Sequence, residues 1–201
     1  GFIRDDGVIL RTLAGIELSI VNAYGRMIDE GLLAGSSGTF PQLGDTTEMV
    51  AVFKDHHEMA AKQFNKLAKA AGADAWECGN TRLDSAYLFP IFDRVLSGAE
   101  ATDNAKAIDP SDDPVRDFAN LVQALESLSA ESCQAFVGQA TTPALRVAAM
   151  EIGVRSGRQA AAYSLLLNPG GFVSSTDAAN AQVGATDTTA AADSTAAPTT
   201  A

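Results

Sequence analysis

The sequence predicts an all-α fold: an antiparallel four-helix bundle with a long crossover between helices 2 and 3, followed by a low-complexity C-terminal tail. Three observations point there. Apolar residues recur at helical spacing in four long segments. Alanine is abundant and aromatic residues make up only 6% of the 201-residue chain, which favours closely packed helices over a β-sandwich. After Phe172 the composition turns to Ala, Thr and Ser with no Lys or Arg. Such a stretch cannot offset its own ordering entropy. The expected organisation is therefore a bundle over residues 1–171 and an Ala/Thr-rich tail over 172–201.

The first helix is expected from about Asp6 to Leu33, opened by Asp5 and Asp6 and stopped by Gly35. The loop Ser36–Gly44 holds Gly, Ser and Pro41. The second runs from about Thr46 to Ala71. Asp45 with Glu48 resembles a capping box at its start, and Gly72 ends it. A long connection follows to Asp112, with one short helical piece near Ser85–Leu96 interrupted by Pro90. Trp76 and Tyr87 within it are expected to pack over the bundle. The third helix opens at Asp113-Pro114 and reaches about Gly138. The fourth opens the same way at Thr142-Pro143 and runs to Leu167, ended by Asn168-Pro169-Gly170-Gly171.

A formal net charge of −11 argues against nucleic acid or an anionic membrane surface as partner, because phosphate binding needs clustered Lys and Arg. No integral membrane segment is expected. The sequence starts with Gly1, and the tail composition suits exported bacterial proteins. The expectation is a cell-surface or extracellular chain freed of an N-terminal targeting segment. Cys78 and Cys133 are the two cysteines. They either pair in an oxidising compartment or leave Cys133 as a buried thiol.

One carboxylate stands in the middle of each of two apolar stripes. Glu17 is flanked by Leu10, Leu13, Ile20, Val21, Tyr24 and Met27. Glu126 is flanked by Ala119, Val122, Leu125, Ala130, Cys133 and Phe136. A carboxylate on a buried face is costly unless something pairs with it, so the two suggest a site inside the bundle. In four-helix carboxylate proteins two helices give one Glu each and two give a Glu-x-x-His pair, whose spacing sets both ligands on one face. Such a set suits iron or manganese. His56 and His57 are adjacent, so only one can face inward, where it would bond Glu17 or Glu126. No Ser-His-Asp arrangement and no phosphate-binding glycine loop is readable.

The segment Leu10-Arg-Thr-Leu-Ala-Gly-Ile-Glu-Leu-Ser-Ile-Val-Asn-Ala-Tyr24 resembles the first helix of bacterial exported ferritin-like domain proteins. Phe53-Lys-Asp-His-His-Glu-Met-Ala60 resembles their second helix, Leu125-Glu-Ser-Leu-Ser-Ala130 their third, and Arg158-Gln-Ala-Ala-Ala-Tyr163 the end of their fourth metal motif. The resemblance implies a di-iron site whose single carboxylates fall on Glu17 and Glu126. It places the second-helix pair on His57 and Ala60, and the fourth-helix pair on Ser156 and Gln159. Ala60 can ligate nothing, and Ser156 and Gln159 are neutral and weak, so these three are vacated ligand positions. The expected set is Glu17, His57 and Glu126, vestigial or weak, with no cofactor. The alternative is a single iron or manganese ion.

The function expected is that of a non-catalytic structural or interaction protein. It would form a homo-oligomer or extracellular assembly, with the tail as a connecting arm. The alternative is a metal-binding protein with a mononuclear site and an oxidoreductase or storage role.

Overall fold

The computed structural model describes residues 5–32 and 47–168, and these are all-helical, with no strand among them. Four long helices dominate: α1 (Asp6–Asp29), α2 (Thr47–Ala70), α5 (Pro114–Val137) and α6 (Pro143–Leu167). The crossover between α2 and α5 carries α3 (Thr81–Leu83), a π-helical turn over Asp84–Leu88, and α4 (Phe89–Ser97). The turn falls just ahead of Pro90, which has no N–H to continue a regular ladder. The loop before α5 is closed by two isolated antiparallel bridges, Ala99 with Ile108 and Thr102 with Ala105.

The helix starts follow from local chemistry. Asp5 accepts from the backbone N–H of Gly7 and Val8, and Asp113 from that of Arg116 with Pro114 in the first turn. The Thr142 hydroxyl accepts from Leu145 N–H ahead of Pro143. Gly72 ends α2 as expected, at φ +87°. The first helix ends earlier than expected, at Asp29, because Gly31 takes φ +64°. The N–H of Leu32 then bonds the Met27 carbonyl and that of Gly31 the Ile28 carbonyl, a left-handed glycine stop. Gly35, the 36–44 loop, Asp45 of the capping box, Pro169–Gly171 and the tail lie outside the described residues. The unit that contains the four helices ends at Leu167.

α1 packs on α2, α5 on α6, and α1 on α5, with lighter contact between α2 and α6. Two apolar clusters fill the interior. One joins Ile20, Tyr24 and Met27 to Val50, Phe92, Phe118, Val122 and Tyr163. The other joins Leu10 and Leu13 to Phe64, Phe136, Leu145 and Ile152. The order of residues in the two clusters makes α1 antiparallel to α2, and α5 antiparallel to α6. It also takes the crossover from one end of the helices back to the other. Each fully buried Leu, Ile or Phe contributes about 1.5–3 kcal/mol. At Gly153 of α6 a Cβ would come within 2.9 Å of the Cys133 Cβ on α5, so glycine sets the closeness of that pair.

By length and composition α1 is long and apolar enough to cross a bilayer, which the sequence reading did not expect. More than half of its most apolar window is buried in the protein (56%), and the polar Glu17 and Ser19 are among its buried residues. This is the pattern of a core helix. No clear integral membrane segment is present among the described residues.

The two cysteines are both free, Cys78 exposed and Cys133 buried, so the disulfide alternative is not realised. Burial, and then the charge of Glu17, pushes the Cys133 thiol up to about 12. Thiolate is the reactive form. One of the two thiols should therefore react with a thiol reagent at neutral pH in the native protein, and the second only in denaturant. Trp76 packs as expected, its backbone clamped by both ends of the Asn65 amide (2.8 and 2.7 Å). Tyr87 does not pack: it is 56% exposed, because its side of the crossover helix faces solvent.

Candidate functional site

Each long helix contributes polar residues to one buried layer that separates the two apolar clusters. On α1 it is Glu17, between Leu13 and Ile20. On α2 it is His57, between Val50 and Ala60. On α5 it is Glu126 with Ser129, between Leu125 and Cys133. On α6 it is Ser156 with Gln159, between Ile152 and Tyr163. All six are at most 4% exposed. The three- and four-residue spacings keep each group on its helix's inward face.

His57 is the hub. Its Nδ1 lies 2.5 Å from Glu17 Oε2 and its Nε2 2.9 Å from Glu126 Oε1. Burial alone would depress this imidazole. The hydrogen bonds to Glu126 and Glu17, and then their charges, more than reverse that and raise it from 6.5 to about 9. At neutral pH both ring nitrogens therefore carry protons, and each donates to a carboxylate. Glu126 Oε1 also accepts from the Tyr24 hydroxyl at 2.6 Å. Burial, then the neighbouring Tyr163 and Glu126, holds Tyr24 well above its usual range, so it stays a donor. Glu17 Oε1 accepts from Ser129 Oγ at 2.6 Å. That uses the only proton of Ser129, so in the 2.9 Å contact between Ser129 and Ser156 the donor is Ser156.

The structure thus brings Glu17, His57 and Glu126 together. The other histidine, His56, is half-buried and faces Gln159, whose Nε2 lies 3.1 Å from His56 Nδ1. Burial, then the Arg155 charge, keeps His56 below its ordinary value, which leaves Nδ1 free to accept. Ala60 sits one turn beyond His57, inside the second apolar cluster. Ser156 joins the network through Ser129. The sequence reading missed Ser129 and Tyr24 as partners. Their signal was spacing: Ser129 stands three residues after Glu126, and Tyr24 seven after Glu17, each on the carboxylate's own face. The Tyr24 ring also stacks on His57 and on Tyr163, with centroids 5.9 and 6.4 Å apart.

Two oxygens of the layer, Glu126 Oε2 and Gln159 Oε1, are buried without a hydrogen-bond partner. Burial pushes the Tyr163 phenol above its usual range. The two oxygens mark the part of the layer whose polar demand the side chains do not meet.

A dinuclear metal centre, the group the resemblance implies, does not fit this donor set. Two cations need several anionic ligands and free imidazole nitrogens. Here there are two carboxylates, and both nitrogens of the single inward histidine point at them. Among the described residues no group of three or more His, Cys, Asp or Glu is arranged to hold a metal ion. Comparison of the chain with protein-family models, with curated proteins and with solved structures found no match.

Proposed function

We propose that the chain is a ferritin-like four-helix bundle without catalytic activity, an exported structural or interaction protein that assembles through its tail. One observation carries this reading. Where the resembling proteins hold metal ligands, this chain has a histidine bridging two carboxylates, closed off by Tyr24 and Ser129. A proton on each ring nitrogen supplies the positive charge that a cation would supply. The residues at the remaining ligand positions, Ala60, Ser156 and Gln159, bring no charge. The topology supports the bundle reading, since the crossover takes the chain from the end of α2 to the opposite end of α5.

Metal analysis of protein purified from medium supplemented with iron or manganese tests the first half. The metal content is expected to lie far below one ion per chain, and to be the same in a Glu17→Ala variant. The orphaned Glu126 Oε2 favours a second reading, a single iron or manganese ion held by Glu17, His57 and Glu126. A stoichiometric ion that Glu17→Ala abolishes would establish it. Assembly is tested separately by removing residues 173–201. The truncated chain is expected to run as a smaller species than the full chain in size-exclusion chromatography, and an unchanged oligomer would remove the tail from the proposal.

A further inference from the structure

The hollow between α1 and the start of the crossover differs from the rest of this acidic surface. It encloses about 240 Å³ and is lined chiefly by Arg11, Thr12, Gly15, Trp76, Asn80 and Thr81. No carboxylate lines it. Three other surface hollows each contain at least one: Glu58 and Glu77, Asp5 and Asp6, and Glu131 respectively. Arg11 joins none of the ion pairs formed among the described residues. Its guanidinium carbon lies 5.2 Å from the centroid of the Trp76 ring, and its Nε is buried with no acceptor. The residue that carries the ring is anchored, because Asn65 grips the Trp76 backbone from α2. Gly15 leaves room for it, since a Cβ there would stand 3.1 Å from Trp76 Nε1. The cation is therefore oriented by an aromatic face, and its fork of N–H donors is not spent on a carboxylate. Beside it, Asn80 Oδ1 accepts from Leu83 N–H, which leaves the Asn80 amide nitrogen to donate.

We propose that this hollow binds a small solute through an oxyanion group, a carboxylate or a phosphate. The Arg11 guanidinium is the primary contact, with the Asn80 amide and the Thr81 hydroxyl flanking it. An arginine fork matches such oxygens in a bidentate, charge-assisted geometry. The acidity of the whole chain does not prevent this, because at physiological ionic strength charges beyond about 8 Å are largely screened. Local donors decide the affinity.

The chain has a single tryptophan, so its fluorescence reports on this hollow alone. The intact protein is titrated with sodium acetate, sodium succinate and inorganic phosphate, with ionic strength held constant by sodium chloride. A saturable change in Trp76 emission is expected with at least one oxyanion and not with chloride. The preference between acetate or succinate and phosphate identifies the oxyanion. Arg11→Gln is expected to weaken binding about tenfold or more, which is the loss of about 1.4 kcal/mol. Thr81 is exposed, so Thr81→Val folds whatever Arg11→Gln does, and it is expected to weaken binding severalfold. The absence of any saturable signal by fluorescence and by calorimetry overturns the proposal. So does an affinity that Thr81→Val and a folded Arg11→Gln both leave unchanged.

Discussion

His57→Leu is expected to destabilise the protein by about 3–5 kcal/mol, the usual cost of leaving buried charges without their partner. The side chains are similar in size, so cavity formation contributes little. The loss comes from Glu17 and Glu126, 1% and 0% exposed, which would face each other across the layer with no cation between them. Ser129 and Tyr24 supply one hydrogen bond to each, at 2.6 Å, and neither supplies charge. For a protein of this size each kcal/mol moves the melting temperature by roughly 2–4 °C, so a fall of roughly 6–20 °C should appear in a thermal melt. Adding Glu17→Gln and Glu126→Gln to His57→Leu should recover part of the loss, because a neutral amide is far cheaper to bury than a carboxylate. Replacing all three by apolar residues (Glu17→Met, His57→Leu, Glu126→Met) together with Tyr24→Phe, whose hydroxyl would otherwise lose its buried acceptor, should come out near neutral or stabilising, since the desolvation of these groups is then removed together. Thermal unfolding of this series is the measurement. A His57→Leu variant that melts within a degree or two of the parent would show that the carboxyls are satisfied without the histidine.

The helices were legible in the sequence because their ends are chemically marked. Asp5, Asp113-Pro114, Thr142-Pro143 and Gly72 each do what their side chains or lack of one dictate. The end of α1 was not. The stop was expected at Gly35; Gly31 takes it instead, through the bond from Leu32 N–H back to Met27, a geometric fact rather than a compositional one. In the site, Glu17 and Glu126 stood out because one charge in an apolar stripe needs a partner. His57 follows from its register with Ala60 and Phe64, which adjacent His56 does not share. Ser129 and Tyr24 were hidden, because a serine or tyrosine on an inward face reads as ordinary core until the facing helix is in place. The cysteines were undecidable for the same reason, since sequence separation carries no distance.

Stability is expected to fall as pH rises from 6.5 to 9, by roughly 3 kcal/mol in total, at no more than about 1.4 kcal/mol per pH unit. The cause is His57, raised from 6.5 to about 9 in the folded protein. Below 6.5 both folded and unfolded chains carry its proton, and the stabilisation is fully present. Between 6.5 and 9 only the folded chain keeps the proton, so each step in pH favours unfolding. Above 9 the contribution is gone. The window isolates this residue. His56 is shifted the other way, so its contribution is lost as pH falls below 6.5. Cys133, Tyr24 and Tyr163, all raised, act mainly above about pH 8.5, as the unfolded thiol ionises. Urea midpoints measured from pH 6 to pH 8.5 should show the decline in the parent protein and a nearly flat line in the Glu17→Gln, His57→Leu, Glu126→Gln triple variant, which removes the histidine without leaving two unpaired carboxylates to titrate. The same slope in both would remove His57 as its source. The sign also separates the two readings of the layer. A cation seated on Glu17, His57 and Glu126 would require a deprotonated ring nitrogen, so with manganese present stability would rise with pH over this range. A decline that manganese leaves untouched is what a proton in the cation's place requires.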